Sequence, residues 1–309
     1  MAHFPAIPDT FAPALCLLAI AATAGCSVKK FAINKLGDSL ANSGTTYAAD
    51  EDLDLVGQAL PFSLKLVEGL LAESPEHRGL LFTAASGFTQ YAYVYVQQDA
   101  EMLEKQDFEK SNALRTRARR LYLRARGYGL RGLDARLHGF SQKLRQDPVS
   151  AVRLAAVSDV PLLYWTAAAW ASAISLSKDN PALIADQRIV EALIDRAAEL
   201  EPDFDSGAIH GFLISYEMAR QGAPGNPAAR ARAHFDRTVA LSKGQLASPF
   251  VSLAEAVSVQ NQDRAEFEAS LNRALAIDPD ARPEWRLQNL VVQRRARWLL
   301  ATAGDLFIK

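Results

Sequence analysis

The sequence predicts an all-α protein, an array of antiparallel helical hairpins. Three observations carry this. First, helix-start signals recur, at Ser74-Pro75, Asp147-Pro148, Asn180-Pro181, Asn226-Pro227 and Ser248-Pro249. In each, a capping side chain can accept from orphan N–H groups, and proline at the first helical position loses no hydrogen bond. Second, apolar residues between the starts recur at three and four. Ile189, Val190, Leu193, Ile194, Ala197 and Leu200 form one such face, and Phe267, Leu271, Ala274 and Leu275 another. Third, the helix endings repeat: Arg196–Asp203, Arg237–Gly244 and Arg273–Asp280 each close an amphipathic stretch.

Composition sets the outer bounds. The chain has 309 residues, 49% of them hydrophobic and 22% charged. That balance fits a folded protein and excludes a mainly disordered one. Lys plus Arg number 34 and Asp plus Glu 35. Near-neutral charge argues against a nucleic-acid partner. The two cysteines, Cys16 and Cys26, cannot build a disulfide framework or a thiolate zinc site.

The N-terminus reads as a leader. Phe11–Ala24 carries no charge and is too short to span a bilayer, but suits the apolar core of a signal peptide. It ends in Thr23-Ala24-Gly25-Cys26, small residues before a cysteine, which resembles a bacterial lipobox. Thr23 stands where such boxes usually carry Leu, and no Lys or Arg precedes it. An ordinary cleaved secretory signal and a buried N-terminal helix are the alternatives. The lipobox reading makes residues 1–25 a removed signal and Cys26 the lipid attachment point. Residues 26–309 are then a single all-helical domain, with membrane contact through the anchor only. Ser27 after the cysteine directs it to the outer membrane of a Gram-negative bacterium, facing the periplasm.

The rest is read in chain order. Gln90–Val96 (Q-Y-A-Y-V-Y-V) alternates like a strand, but Leu80, Leu81, Ala84, Phe88, Tyr91 and Tyr95 also keep helical spacing. A strand needs partners and none is visible, so a helix is expected. A basic run follows, from Arg115, Arg117, Arg119 and Arg120 through Arg124, Arg126, Arg131 and Arg136. It is read as a solvated face paired with Asp99, Glu101, Glu104, Asp107 and Glu109, the alternative being an anionic partner. Gly127-Tyr-Gly129-Leu-Arg-Gly132 matches a phosphate-binding string, but an Arg-rich helix precedes it where a strand is required. It is read as a flexible helix end.

Val160–Leu176 (V-P-L-L-Y-W-T-A-A-A-W-A-S-A-I-S-L) is uncharged throughout. A helix apolar all round is buried in a core or lines an apolar cavity. Tyr164, Trp165 and Trp170 offer flat surfaces among small residues, and are the candidate ligand-binding residues of such a cavity. His210 and His234 fall on expected helices without a triad partner. There is no HExxH, GxSxG or P-loop, so no catalytic, metal or cofactor site is assigned and no enzyme activity is expected.

The repeated endings resemble the second helix of a tetratricopeptide repeat. Ala197, Leu200 and Pro202 match its small, apolar and Pro positions, as do Ala274, Ile277 and Pro279. Such hairpins are expected within about residues 160–280. Four longer strings, Asp159–Trp170, Val251–Ser258, Asp263–Phe267 and Arg294–Ala301 with Asp305-Leu-Phe307, resemble the T-component lipoproteins associated with TRAP transporters. The resemblance covers nearly the whole mature chain. It implies an all-α periplasmic lipoprotein that forms homotrimers and partners a TRAP substrate-binding protein. It also implies a tunnel through each subunit, which conducts a small hydrophobic, carboxylate-bearing ligand. A non-catalytic tetratricopeptide-like scaffold for envelope assembly is the alternative.

Overall fold

The computed structural model describes residue 35 and residues 44–308. The leader and Cys26 lie outside the described residues. Among those described there are helices and turns and no strand.

After a short α1 (Gly44–Ala48), α2 (Leu53–Glu73) starts on Asp52, whose carboxylate accepts from the N–H groups of Asp54 and Leu55. Val56, Leu64, Val67 and Leu71 form its buried face, while Leu55, Phe62 and Leu66 are exposed. By length and composition α2 is the one described helix that could cross a membrane, yet it buries one face on the next helix and carries a Lys65–Glu68 ion pair. Ser74-Pro75, expected to start a helix, instead ends α2: Ser74 N–H donates to Leu70 O. The next start falls on His77, whose Nδ1 accepts from Leu80 N–H.

α3 (Arg78–Ala92) runs without a break through a π turn (Tyr93–Gln97) into α4 (Gln98–Leu103). The tyrosine-rich stretch is therefore helical, as the three–four spacing requires. α5 (Phe108–Asp134) starts on Asp107 and packs along α3. After α6 (Phe140–Gln146) and α7 (Pro148–Val152, capped by Asp147), α8 (Val160–Ser175) packs on both α5 and α3.

The glycine string is not a flexible helix end. It lies inside α5, at the crossing with α8. A Cβ on Gly129 would sit 2.1 Å from Thr166 Oγ1 and 3.3 Å from Thr166 Cα; one on Gly132 would sit 2.8 Å from Leu162. Two absent side chains let the backbones approach, a packing role the string match could not reveal.

The basic run also departs from expectation. Only Arg115 pairs within the proposed acidic stretch, with Glu104. Arg124 reaches Glu68 and lies over Phe88, Arg117 and Arg126 lie over Tyr91 and Trp170, and Arg119 pairs with Asp179. Arg136 and Arg78 converge on Asp159, which is fully buried at the start of α8 and also accepts from Ala156 N–H. The arginines clamp neighbouring helices instead of forming one solvated face, because their long stems cover apolar rings while the heads find carboxylates.

From α8 onward successive helices pack in pairs. After α9 (Pro181–Ile184, capped by Asn180), α10 (Gln187–Leu200) packs on α8. α12 (Pro227–Leu241, capped by Asn226) packs on α11 (Phe204–Ala219). α13 (Ser248–Leu253) continues through a second π turn (Ala254–Ser258), and α14 (Arg264–Leu275, capped by Asp263) packs on both. α15 (Arg286–Ala301) closes the chain against α14.

The three repeated endings are thus three helix C-termini, at Leu200, Leu241 and Leu275, and Ala197 and Ala274 are fully buried. Gln293 of α15 donates to the carbonyls of Ala274 and Ile277, satisfying the orphan end of α14. A large apolar core joins α2 to α11, and a second, around Phe250, Phe267, Leu271 and Leu299, joins α13 to α15. Each fully buried Leu, Ile or Phe contributes about 1.5–3 kcal/mol.

Candidate functional site

α8 turns most of its surface into the core, but Pro161, Tyr164, Trp165, Ala171 and Ser172 are only half-buried. These positions recur at three, four and seven, so they form one face of the helix. On it, Tyr164 meets Trp165 edge-on at 5.1 Å, and Phe204 at the start of α11 at 5.6 Å. Trp170 points elsewhere. It is 1% exposed, its Nε1 donates to Asp186 (3.1 Å), and the Arg126 guanidinium covers its ring at 4.6 Å. The structure therefore brings Tyr164 and Trp165 together and sets Trp170 in a packed position on the other side of the helix.

α11 enters beside Tyr164 through three residues of positive φ: Asp205 (45°), Ser206 (56°) and Gly207 (95°). The turn presents the Asp205 carboxyl, solvent-exposed yet crowded enough by protein atoms to be pushed up, towards Tyr164. The Tyr164 phenol is itself raised, by burial first and by the Asp205 charge second.

A second set of polar groups lies where the two π turns meet α4 and α15. Tyr93 opens the first π turn and Glu255 sits in the second. Arg295 of α15 donates from Nε (3.1 Å) and Nη2 (2.6 Å) to a single oxygen, Oε1 of Glu255. Its Nη1 lies 2.6 Å from Glu101 of α4 but makes no aligned hydrogen bond. Glu101 accepts from Gln97, and Gln97 in turn accepts from the Tyr122 hydroxyl of α5. The Gln98 amide is buried beside Tyr93, close enough for its Nε2 to favour the ionised phenol, and its Oε1 accepts from Arg294.

The electrostatics of this cluster are unusual. Tyr93 is 41% exposed, yet burial among protein atoms pushes its hydroxyl up to about 12, and the Glu255 charge adds to the shift. Glu255 keeps 28% of its side-chain surface reachable, yet burial raises its carboxyl despite Arg295. Burial opposes the charge on Arg295, but Glu255 and Glu101 outweigh it and hold the guanidinium firmly protonated. Tyr93 and Glu255 thus combine water-reachable surface with a crowded protein surround, and crowding disfavours their charged forms. One Arg against two Glu leaves the cluster with a formal charge of −1.

The profile of the TRAP transporter T-component matches residues 49–307. The chain belongs to the TRAP transporter T-component family. An uncharacterized protein of Treponema pallidum (strain Nichols) is 31% identical over 316 residues, which span 96% of this chain and 97% of that protein. This T-component carries Glu255 and Arg295 within two of the strings that pointed to the family, Val251–Ser258 and Arg294–Ala301. Their convergence was not readable from either string alone. Tyr93 had no sequence signal as a site residue, because its accessibility depends on where the π turn aims it. Among the described residues no group of three or more His, Cys, Asp or Glu could hold a metal. Cys26 lies outside the described residues.

Proposed function

We propose that this T-component, an accessory of a TRAP-type transport system, docks the system's periplasmic substrate-binding protein and conducts a small hydrophobic carboxylate through its interior. The protein acts without catalysis, is anchored by lipid on Cys26 at the periplasmic side of the outer membrane, and works as a homotrimer.

The observation that carries the ligand reading is the accessible yet protein-surrounded cluster of Tyr93, Glu255, Glu101 and Arg295. Half-buried Tyr164, Trp165 and Ser172 on one face of α8 continue the same kind of lining. Tyr122 links the two, since it is close enough to both Ser172 and Tyr93 to feel their groups. Tyr164 and Ser172 are eight residues apart, about 12 Å along the helix. The exposed apolar stripe of α2, with Leu55, Phe62 and Leu66, is the surface assigned to contact between copies.

The test is mass spectrometry of small molecules that co-purify with the Cys26→Ser chain, with and without the substrate-binding protein of the same system. A hydrophobic acid that leaves when the binding protein is added is the expected result. A ligand-free chain that still binds envelope proteins would favour the second reading, a tetratricopeptide-like scaffold. That reading rests on the three successive helix pairs ending at Leu200, Leu241 and Leu275.

A further inference from the structure

We infer that Arg295 is the anchor for the ligand's carboxylate, and that Glu255, displaced from Arg295, takes up one proton when the ligand binds. This rests on the ligand-carrying reading above and adds a site and a coupling to it.

Arg295 is the cation of the cluster. It is 9% exposed, and Nε and Nη2 spend both their donors on one oxygen of Glu255, while Nη1 has no aligned acceptor. A guanidinium offers five N–H groups in a fork that fits a carboxylate through two parallel bonds, so Glu255 uses the fork incompletely. An incoming carboxylate can make both bonds.

Charge decides what must accompany it. The groups facing Glu255 are Arg295 from α15, Glu101 from α4 and Tyr93 from the first π turn. Tyr122 of α5 stands behind, toward Tyr93 and Glu101. The free cluster already holds −1. A bound carboxylate would make it −2 in a poorly solvated site, where like charges repel strongly. One proton on Glu255 restores −1 and converts Glu255 from a competing acceptor into a donor for the ligand. The proton comes from solvent, and no covalent bond changes beyond the new O–H. Glu255 is the group to take it, because it is the carboxylate that loses both of its Arg295 hydrogen bonds to the ligand, and burial already raises it. The Tyr93 hydroxyl, protonated throughout, can donate to the ligand as well.

Linkage fixes the sign. If binding takes up one proton, affinity rises as pH falls, by about tenfold per unit while Glu255 is ionised in the free protein. Octanoate is a suitable probe, with octylamine as the charge-reversed control. Titration calorimetry of the full chain carrying Cys26→Ser, in two buffers of different ionisation enthalpy, counts the protons directly.

The expected result is octanoate binding with about one proton taken up, and with affinity that rises as pH falls. Glu255→Gln, which keeps the shape and removes the charge, should bind octanoate more tightly at the higher pH, with no proton uptake and little pH dependence. Arg295→Lys should lose most of the affinity, since an ammonium cannot supply the fork. Circular dichroism confirms that each variant is folded. Octanoate binding with no proton uptake by the parent chain would overturn the coupling and leave the ligand-carrying reading intact. Preference for octylamine would overturn the anchor. No binding of octanoate at any pH, by the parent or by Glu255→Gln, would overturn the anchor; an absence of any co-purified acid would separately overturn the reading beneath it.

Discussion

Two glycines in the same helix, two residues apart, should respond to alanine with opposite signs. Gly127 and Gly129 both lie inside α5. A Cβ on Gly127 meets nothing within 4 Å, so Gly127→Ala should gain the helix-propensity difference, about 1 kcal/mol. Gly129→Ala gains the same difference but places its methyl 2.1 Å from Thr166 Oγ1 and 3.1 Å from Thr166 Cβ. Thr166 cannot step aside cheaply. It is fully buried, and its hydroxyl donates to Leu162 O at 2.5 Å, a bond worth about 1 kcal/mol. Its Cα, 3.3 Å from the new methyl, moves only with α8. Overpacking of about 1–3 kcal/mol together with the lost hydrogen bond exceeds the propensity gain, so the net loss should be about 1–3 kcal/mol. Denaturant unfolding followed by circular dichroism reads both variants against the parent chain, and Gly129→Ala with Thr166→Ala should recover part of the loss through coupling. If Gly129→Ala is neutral or stabilising, α5 and α8 do not cross as closely as described, and the glycine string is only a helix defect.

Three further outcomes follow from other contacts. Trp170→Ala should cost about 3–5 kcal/mol in unfolding experiments, because the indole is packed between Arg126 and Asp186; an unchanged midpoint would place it outside the core. Asp159→Ala should cost on the order of 3–5 kcal/mol by the same measurement, since it strips the buried acceptor from Arg78 and Arg136. His210 and His234 meet Nδ1 to Nδ1 at 2.8 Å between α11 and α12, and both are held below the usual imidazole range, by burial first and, for His210, by His234 next. The unfolded chain therefore binds more protons, so this stability is present above about pH 6.5 and is lost as pH falls through the lowered folded values; His234→Gln should flatten that part of the stability profile.

The helices were legible where local chemistry is self-contained. Asp147, Asn180, Asn226 and Asp263 cap helices as their sequence positions indicate, because a cap needs only its own next three residues. Ser74-Pro75 has the same form and fails. There the chain is still leaving α2, and Ser74 donates backward to Leu70. The arginines and glycines of α5 were legible as types but not as contacts. Glu68 and Thr166, which decide what Arg124 and Gly129 do, lie tens of residues away in sequence, as does Asp159 from Arg136 just beyond the helix. Of the three aromatics chosen in α8, spacing alone could not separate Tyr164 and Trp165 from Trp170, because an all-apolar helix carries no polar side to fix its rotation.

The π turns explain why the polar cluster left no pattern. One extra residue in a turn advances the helix phase by roughly 100°, so residues beyond it face a direction that regular spacing does not foretell. Across the first turn Tyr91 is buried, Tyr93 is open, and Tyr95 passes its hydroxyl to Leu53 O, an arrangement that reads on paper as strand alternation. The second turn does the same for Glu255, between Leu253 and Val257, which stay in the core. Glu101 lies just beyond the first insertion and Glu255 within the second, and both carboxylates meet Arg295. A π turn gives up regular hydrogen bonding and is retained mainly where it aims a side chain. Two such turns contributing to one cluster are why the proposed ligand chemistry is assigned to Tyr93, Glu255 and Arg295, with the aromatic face of α8 as the proposed wall leading to it.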